Sequence, residues 1–141
     1  MGEIRRRVVD EHSELKLSMI CEPDEEKLKG DQCFSVVRNS KKVIESDVKT
    51  VFICTPNQMI PELSIECLKR GKHVFCEKPP GRTLDDIVRI QEAERQNPGT
   101  KLMFGFNHRF HPGVMRAKSI VNSSNQFLRK KYGKKCEKTN T

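Results

Sequence analysis

Short apolar runs alternate with amphipathic stretches along most of this chain. Val51 to Cys54 and Val74 to Cys76 are uninterrupted apolar runs of strand length, which are typical of strands buried on both faces of a parallel sheet. The segment from Leu84 to Gln96 instead repeats apolar residues at helical spacing. Applied to the whole chain, the pattern predicts strands at 15–21, 33–37, 51–54, 74–76 and 102–106, and helices at 3–12, 25–29, 39–44, 61–70, 84–96 and 113–121.

Strands and helices therefore alternate, with short connections between them. Such alternation predicts an α/β fold in which a doubly wound parallel sheet carries helices on both faces. Local signals support the boundaries of two helices, because Gly71 can cap the end of helix 61–70 and Thr83 can cap the start of helix 84–96. We expect the second of these helices to bury Leu84, Ile87, Val88 and Ala93.

The first predicted element is a helix, at 3–12, with no strand before it. In a doubly wound sheet with the strand order 3-2-1-4-5-6, the first strand is central, so we expect two half-sheets that each lack a partner in the middle. Four or five buried aliphatic side chains would be lost with that strand. Their contribution is about 6–15 kcal/mol, comparable to the whole stability of a domain, about 5–15 kcal/mol. The chain should then fold poorly, rearrange, or borrow a strand from another copy in a homo-oligomer.

The charge is distributed unevenly along the chain. The 141 residues have a formal net charge of +8, with 33% charged and 35% hydrophobic residues. Six cations but only one anion lie in 129–141, so this segment carries most of the excess. We expect one packed domain at 1–121 and a disordered basic tail at 122–141. Nucleic-acid binding is not expected, because the excess charge lies in a tail, aromatic content is 6%, and no known nucleic-acid motif is present.

The cysteines and the absence of long apolar runs indicate the compartment. None of the six cysteines has C-x-x-C spacing, so we expect free thiols in a reducing compartment. No apolar run approaches the roughly 20 residues of a membrane span, and the N-terminus lacks the apolar core of a signal peptide. These features predict a soluble, cytoplasmic protein that does not bind a membrane. No metal site is expected, because His108 and His111 lack a third ligand at metal spacing.

Polar side chains follow the predicted strands at their carboxyl ends, which form the ligand-binding edge of a doubly wound sheet. A carboxylate after the second strand of such a fold, the place of Glu22, can accept both ribose hydroxyls of an adenine dinucleotide. A fixed lysine, such as Lys78 before Pro79, can hydrogen-bond a substrate hydroxyl and relay its proton during hydride transfer. Each group also has an ordinary interpretation as a turn residue, a helix cap or a solvated charge. The candidate residues are Glu22, Thr55, Pro56, Asn57, Glu77, Lys78, Asn107 and Arg109.

Several motifs, taken in order and with their spacing, resemble a known family. "VFICTPN" at 51–57, "GKHVFCEKP" at 71–79, the helix after Thr83 and "LMFGFNHRFHP" at 102–112 are similar to the glucose-fructose oxidoreductase and inositol dehydrogenase family, Gfo/Idh/MocA. The resemblance extends from Leu15 to Val121. It implies a Rossmann domain that binds NAD or NADP, with Glu22 favouring NAD. It also implies an active-site lysine at Lys78, a ribose-binding acid at Glu22, and a nicotinamide side lined by Thr55, Pro56, Asn57 and Glu77. Asn107 and Arg109 are further candidate cofactor contacts at a strand end.

The chain also departs from this family. The opening strand and the G-x-G-x-x-G loop are missing, apart from a remnant at Met1-Gly2; Ile60 replaces the family's histidine; and the substrate-binding domain is missing. We therefore expect a partial NAD(P)-dependent oxidoreductase, whose parent reaction is hydride transfer between a sugar or cyclitol hydroxyl carbon and nicotinamide. Weak cofactor binding and no turnover are expected for this fragment. The alternatives are a non-enzymatic nucleotide-binding or interaction module and a basic nucleic-acid-binding protein.

Overall fold

A computed structural model of the protein describes residues 1–24 and 34–132. The chain divides into two compact units, Met1–Gly105 and Phe106–Thr141. The predicted helix at 25–29 lies outside the described residues, as does the last part of the predicted tail, 133–141. Within the described part, no helix is both long enough and apolar enough to cross a bilayer.

The described elements follow the order that the hydrophobic pattern predicts. Most strands are shorter than predicted, and the first begins at Met19 rather than at Leu15, whose side chain is exposed. The strands are β1 (Met19–Cys21), β2 (Ser35–Val37), β3 (Thr50–Ile53), β4 (His73–Cys76) and β5 (Leu102–Phe104). The helices are α1 (Gly2–Glu11), α2 (Ser40–Glu45), α3 (Ile60–Lys69), α4 (Leu84–Gln96) and α5 (Pro112–Tyr132), with a short 3-10 helix at Asn107–Phe110.

The described strands form two separate sheets, as the lack of a central strand predicts. β1 pairs with β2 in one sheet, and the other sheet has the order β3-β4-β5. All of these pairings are parallel. Because helices connect the successive strands of the larger sheet, the first unit has a Rossmann-like α/β fold, which confirms the predicted fold class.

The larger sheet is buried on one face only. Ile53, Val74 and Cys76 share that face with the core of α2, α3 and α4, and each is at most 3% exposed. On the opposite face, Phe52 is 38% and Met103 is 43% exposed. The expectation that strand 51–54 is buried on both faces is therefore wrong. The core helices of the first unit pack against the same side of β3 and β4, so alternate side chains remain uncovered.

Helix α4 begins at the cap that the sequence predicts. The Thr83 hydroxyl accepts a hydrogen bond from the Asp86 amide at 3.2 Å, and the Asp86 carboxylate accepts one from the Thr83 amide, also at 3.2 Å. This reciprocal arrangement is a capping box. The Arg82 amide donates to the same carboxylate at 2.8 Å, and this bond, followed by those from Thr83, lowers the pKa of Asp86.

The buried stripe of α4 differs from the predicted one. Ile90 and Ala93 are buried, whereas Leu84 and Val88 are 79% and 51% exposed. The prediction is therefore right at Ala93, wrong at Leu84 and Val88, and incomplete because it omitted Ile90. At about 100° of rotation per residue, Leu84 and Val88 lie more than about 100° around the helix from Ile90. The apolar residues of α4 could form two buried stripes, one with Leu84 and Val88 and one with Ile90 and Ala93. Packing against α3 buries the second.

Two local features fix the connection from α3 to β4. Gly71 has a φ of 73°, the left-handed conformation that commonly ends a helix. Lys72 is only 5% exposed, and its Nζ donates to the backbone oxygens of Ser46 and Val48 at 2.6 and 2.8 Å. The buried ammonium group thereby holds the segment between α2 and β3, so this lysine of the "GKHV" motif is structural.

Helix α5 is longer than predicted. It spans Pro112–Tyr132, so the expectation of loop and tail from Asn122 onward is wrong at 122–132. Between Gly113 and Tyr132 the sequence has no proline or glycine that would end the helix. The two compact units meet in the sequence at Gly105, and the domain end expected at Val121 stays a prediction. Disorder at 133–141 stays a prediction.

The described cysteines are free thiols, and two of them lie in the core. Burial raises the pKa of the Cys67 and Cys76 thiols to about 11. Cys76 Sγ also lies 3.1 Å from the buried Ser64 hydroxyl. The free thiols are Cys21, Cys54, Cys67 and Cys76, whereas Cys33 and Cys136 lie outside the described residues.

We expect alkylation to separate the buried thiols from the exposed one. Raising a thiol pKa from 9.0 to about 11 leaves about a hundredfold less of the reactive thiolate at pH 8. Iodoacetamide should therefore modify Cys21 at least about tenfold faster than Cys67 or Cys76, as measured by peptide mass spectrometry.

The same shifts determine how stability depends on pH. Because the folded state raises the thiol pKa values of Cys67 and Cys76, their contribution to stability is complete below about pH 9 and is lost as pH rises towards about 11.

In the alkylation experiment, the rates at which iodoacetamide labels the three thiols should converge once the protein is unfolded in urea. Equal rates for all three thiols in the folded protein would contradict this prediction.

Candidate functional site

The ends of β3 and β4 bring two of the predicted residues to one edge. Ile53 pairs with Cys76 at the last position of the two strands. Thr55 and Lys78 each follow two residues later, so they leave the sheet at neighbouring positions. The carboxyl ends of parallel strands form the edge at which α/β folds bind ligands. Thr55 and Lys78 therefore both follow paired strand ends at this edge, and their roles as site residues stay predictions.

Lys78 is exposed in the turn after β4. The amide of Glu77, the residue before it, donates to the Ile53 carbonyl oxygen at 2.9 Å, which continues the β3–β4 ladder past the end of the strand. The peptide bond from Lys78 to Pro79 is cis. The lysine side chain thus reaches solvent from a backbone that is fixed on one side by the ladder and on the other by a proline ring.

A buried ion pair lies directly before Lys78. Arg5 Nε of α1 donates to Glu77 Oε1 at 2.7 Å, and Arg5 Nη2 lies 2.6 Å from the same oxygen. The Arg5 and Glu77 side chains are only 16% and 7% exposed, and the guanidinium also lies 4.6 Å from the centre of the Phe75 ring. The Glu77 carboxylate is therefore already paired with an arginine of α1. Its expected place beside the nicotinamide stays a prediction.

Sequence reasoning missed the role of Arg5. The two charges are 72 positions apart, and neither hydrophobic period nor motif spacing relates them. Glu77 alone gave a weak signal, because a carboxylate directly after a buried strand needs a partner if it stays buried. A cation in any element that packs over the strand end could have supplied that partner.

Gly105, directly after β5, lies against the same ion pair. Its amide donates to the Cys76 carbonyl oxygen at 2.8 Å. A Cβ atom at this position would lie 2.9 Å from Glu77 Oε2 and 3.4 Å from Arg5 Nη2. Because both atoms belong to side chains held in a buried pair, neither can move aside without weakening it. The ion pair therefore requires glycine at this position.

We expect Gly105→Ala to lower the free energy of unfolding by about 1–3 kcal/mol, the usual cost of overpacking a buried site. Urea denaturation followed by circular dichroism measures this change. Gly99→Ala is the matched control, since a Cβ there meets no atom within 4 Å, and it should stay within about 0.5 kcal/mol of the parent. Similar losses for the two variants would show that the ion pair does not restrict residue 105.

Thr55 has a buried hydroxyl group with no partner. Its Oγ1 is inaccessible to solvent and has no hydrogen-bond partner within the described ranges 1–24 and 34–132. A buried hydroxyl without a partner costs about 1–3 kcal/mol, so its presence requires an explanation such as a bound polar group. The neighbouring Cys54 thiol has a raised pKa, first because of burial and then because of the Glu77 carboxylate.

Pro56 and Asn57 form the turn from β3 into α3. Their carbonyl oxygens accept hydrogen bonds from the amides of Met59 and Ile60, at 2.9 and 3.3 Å. Both residues therefore have the ordinary turn role that the sequence left open. Their contact with a cofactor stays a prediction.

Glu22 follows β1 in the smaller sheet and is half-buried. Its amide donates to the Val37 carbonyl oxygen at 3.1 Å, and its Oε1 accepts from the Asp24 amide, also at 3.1 Å. The carboxylate thus stabilises the local turn. Recognition of a ribose by Glu22 stays a prediction.

Asn107 and Arg109 belong to the second unit, in the 3-10 helix that precedes α5. Both are exposed, and the Arg109 guanidinium lies 5.4 Å from the centre of the Phe110 ring. Their contact with a cofactor stays a prediction. His111 Nδ1 accepts from the Gly113 amide at 3.1 Å. In the part of the chain that the structure describes, no cluster of three His, Cys, Asp or Glu side chains could hold a metal ion.

The strand ends fit a dinucleotide in two respects and differ from the expectation in one. The Thr55 hydroxyl has no partner among the described residues, and Lys78, two residues after the end of β4, is exposed. The start of α1 also lies here, since a Cβ at Gly2 would be 3.9 Å from Cys54 Cβ, and Met1 provides no side-chain cap. Amides at a helix start suit a phosphate group. The Glu77 carboxylate, in contrast, is already paired.

Comparisons with known proteins agree with this geometry. Residues 2–106 match the model of an oxidoreductase family with an NAD-binding Rossmann fold, Gfo/Idh/MocA. Inositol 2-dehydrogenase from Salmonella paratyphi B is 34% identical over 79 residues, which are 56% of this chain and 24% of that protein. Myo-inositol 2-dehydrogenase from Thermotoga maritima is 37% identical over 79 residues, 56% of this chain and 23% of that protein.

A solved structure extends the similarity to most of the chain. Scyllo-inositol dehydrogenase from Lactobacillus casei, with bound NAD(H) and scyllo-inositol, superposes with a TM-score of 0.81 at 25% identity, over 88% of this chain and 38% of that one. The chain thus spans about a quarter of the length of the curated relatives named above. The family that the sequence motifs indicated is confirmed, and the chain belongs to the Gfo/Idh/MocA oxidoreductases, with their NAD-binding Rossmann fold.

Proposed function

We propose that the chain is the nucleotide-binding part of an oxidoreductase that transfers hydride between a cyclitol or sugar hydroxyl carbon and nicotinamide. The observation that supports the proposal is the exposed Lys78 at the carboxyl end of β4, one residue after the Glu77 amide that donates to Ile53 of β3. The inositol dehydrogenases among its relatives support a polyhydroxylated, small-molecule substrate.

Each residue at this edge has a distinct task in the proposed reaction. Lys78 Nζ hydrogen-bonds the substrate hydroxyl and relays its proton, while the β3–β4 ladder and Pro79 hold the lysine in place. Thr55 is a cofactor contact at the end of β3, and the Glu22 carboxylate accepts hydrogen bonds from the ribose hydroxyls. Pro56 and Asn57 line the same side of the first unit. When bound, the nicotinamide supplies the hydride acceptor.

We expect cofactor binding by this chain to be weak. Among the described residues, the amides that could hold the pyrophosphate are those at the start of α1, with no glycine-rich loop beside them. Calorimetric titration with NAD(H) and NADP(H) should give Kd values near or above about 1 mM, equivalent to about 4 kcal/mol. Amide shifts in NMR spectra at saturating NADH should be largest at Thr55 and Lys78. Micromolar affinity would contradict the expectation.

The same titrations test the cofactor preference. A carboxylate at Glu22 repels the 2′-phosphate of NADP, so NAD should bind more tightly, and Glu22→Gln should reduce the difference. Lys69→Gln is a suitable control, because this lysine is exposed at the end of α3. Tighter binding of NADP by the parent protein would refute the assignment of Glu22.

The second candidate is a non-enzymatic module that binds a nucleotide or another protein without turnover. The paired state of Glu77 favours it, because one of the expected nicotinamide contacts is engaged by Arg5. Shifts at Thr55 with unchanged Lys78 resonances would support this candidate over the oxidoreductase.

We further propose a cytoplasmic location. The free thiols of the described cysteines support a reducing compartment.

A further inference from the structure

The second unit has a pocket between the 3-10 helix and α5. Its volume is about 520 Å³, within the range of about 300–1,000 Å³ that is usual for sites of small molecules. One side comes from the 3-10 helix, and the other from successive turns of α5, whose lining positions repeat at helical spacing. The residues that matter for its chemistry are Arg109, Phe110, Met115, Lys118, Ser119 and Asn122.

Two cations line this pocket without a neighbouring carboxylate. Neither Arg109 nor Lys118 forms an ion pair with any residue that the structure describes, and the Arg109 guanidinium instead lies 5.4 Å from the centre of the Phe110 ring. The sequence of the described part of this unit, 106–132, has six arginine and lysine residues and no aspartate or glutamate. The pocket therefore has two positive charges that attract an anion.

Neutral hydrogen-bond donors of α5 lie between the two cations and the next turn of the helix. The Ser123 hydroxyl donates to the Ser119 carbonyl oxygen at 3.0 Å, so its proton is already engaged. The Ser119 hydroxyl and the Asn122 side-chain amide supply further donors in the lining. A guanidinium fork, an ammonium group and neutral donors together suit a phosphate dianion, whose oxygens accept several hydrogen bonds at once.

The pocket also presents apolar surface next to these charges. The Phe110 and Met115 side chains are 57% and 56% exposed, although both line a concave site. An aromatic ring and a thioether contact a second aromatic or apolar group favourably. The ligand that fits this lining therefore has an apolar part as well as an anionic one.

We propose that this pocket binds a small phosphate monoester that carries an aromatic or other apolar group. The two cations bind the phosphate dianion, Ser119 and Asn122 donate hydrogen bonds to its oxygens, and the Phe110 ring contacts the apolar group. The site lies wholly within the second unit, and it does not depend on the reaction proposed for the first.

The test titrates the whole chain with phenyl phosphate in low-salt buffer and follows amide shifts by NMR. The probe should bind with a Kd of about 1 mM or below and should shift the amides of Lys118, Ser119 and Asn122. Inorganic phosphate lacks the ring and benzyl alcohol lacks the charge, so each should bind at least about tenfold more weakly. No shift with phenyl phosphate, or equal affinity for phenyl phosphate and inorganic phosphate, would overturn the proposal.

Matched variants on α5 separate the pocket from the general positive charge of the helix. Lys118→Gln removes a cation from the lining and should weaken binding of phenyl phosphate at least about fivefold, as should Arg109→Gln. Arg116→Gln removes the same charge at an exposed position outside the lining, about 160° around the helix from Lys118. It should change the Kd by less than about twofold, and equal losses for the three variants would overturn the proposal.

Competition with NADH separates this pocket from the cofactor site, for which the sequence also made Arg109 a candidate. NADH at the same concentration should leave the shifts that phenyl phosphate produces on α5 unchanged, because its pyrophosphate has no terminal dianion. Displacement of phenyl phosphate by NADH would assign the pocket to the cofactor and would overturn a separate site.

Discussion

In an assay that follows NADH formation by absorbance, the protein should show no activity with NAD and inositols, hexoses or sugar derivatives. Lys78 can handle the proton, but hydride transfer also needs the substrate carbon held about 3–3.5 Å from the nicotinamide. The described strand ends offer Lys78 alone on the substrate side. Orientation supplies about 7–11 kcal/mol of barrier lowering, which is about five to eight powers of ten in rate.

The control for this assay is Lys78→Ala. Any rate above the enzyme-free reaction that this substitution abolishes would contradict the expected inactivity and would mean that a second chain completes the site. Activity that survives in Lys78→Ala would point to a contaminating dehydrogenase. Lys69→Ala, at an exposed site on α3, measures the effect of removing a lysine elsewhere.

Loss of the Arg5 side chain should be the most destabilising single change at the strand ends. Arg5→Ala leaves the Glu77 carboxylate, in a residue only 5% exposed, without its partner at 2.6–2.7 Å. Breaking a buried pair from one side costs about 3–5 kcal/mol, a large part of a typical domain stability of about 5–15 kcal/mol. Urea denaturation followed by circular dichroism measures the loss.

A double-mutant cycle separates the ion pair from other effects. Arg7→Ala removes an exposed arginine from the same helix and should change stability by less than about 0.5 kcal/mol. Glu77→Gln combined with Arg5→Ala should cost less than the sum of the two single changes, because neither leaves a charge unpaired in the double variant. An Arg5→Ala protein as stable as Arg7→Ala would show that water solvates Glu77 in place of the guanidinium.

The features that the sequence predicted well depend on residues that are close together in the chain. The capping box at Thr83 sets the start of α4, and Gly71 sets the end of α3, because both act through bonds and dihedral angles within a few residues. The position of Lys78 followed in the same way, from an apolar strand that ends at a charged turn. These features could be predicted without knowing which segments pack against each other.

The features that the sequence did not predict depend on contacts between distant segments. The choice of Ile90 over Leu84 for the buried row of α4 depends on the direction from which α3 approaches. The one-sided burial of β3 depends on the number of helices available for its second face. The Arg5–Glu77 pair joins the first helix to the end of β4, and only the folded chain brings these segments together.

The partly covered face of the larger sheet, where Arg5 lies over Phe75, makes the protein's colloidal behaviour depend on ionic strength. Phe52 and Met103 present apolar surface there, at 38% and 43% exposure, while the chain as a whole has a net charge of +8. Repulsion between like-charged molecules acts over about 30 Å at 0.01 M salt but over only about 3 Å at 1 M. Dilute buffer therefore keeps the exposed apolar side chains of neighbouring molecules apart, and added salt lets them come into contact.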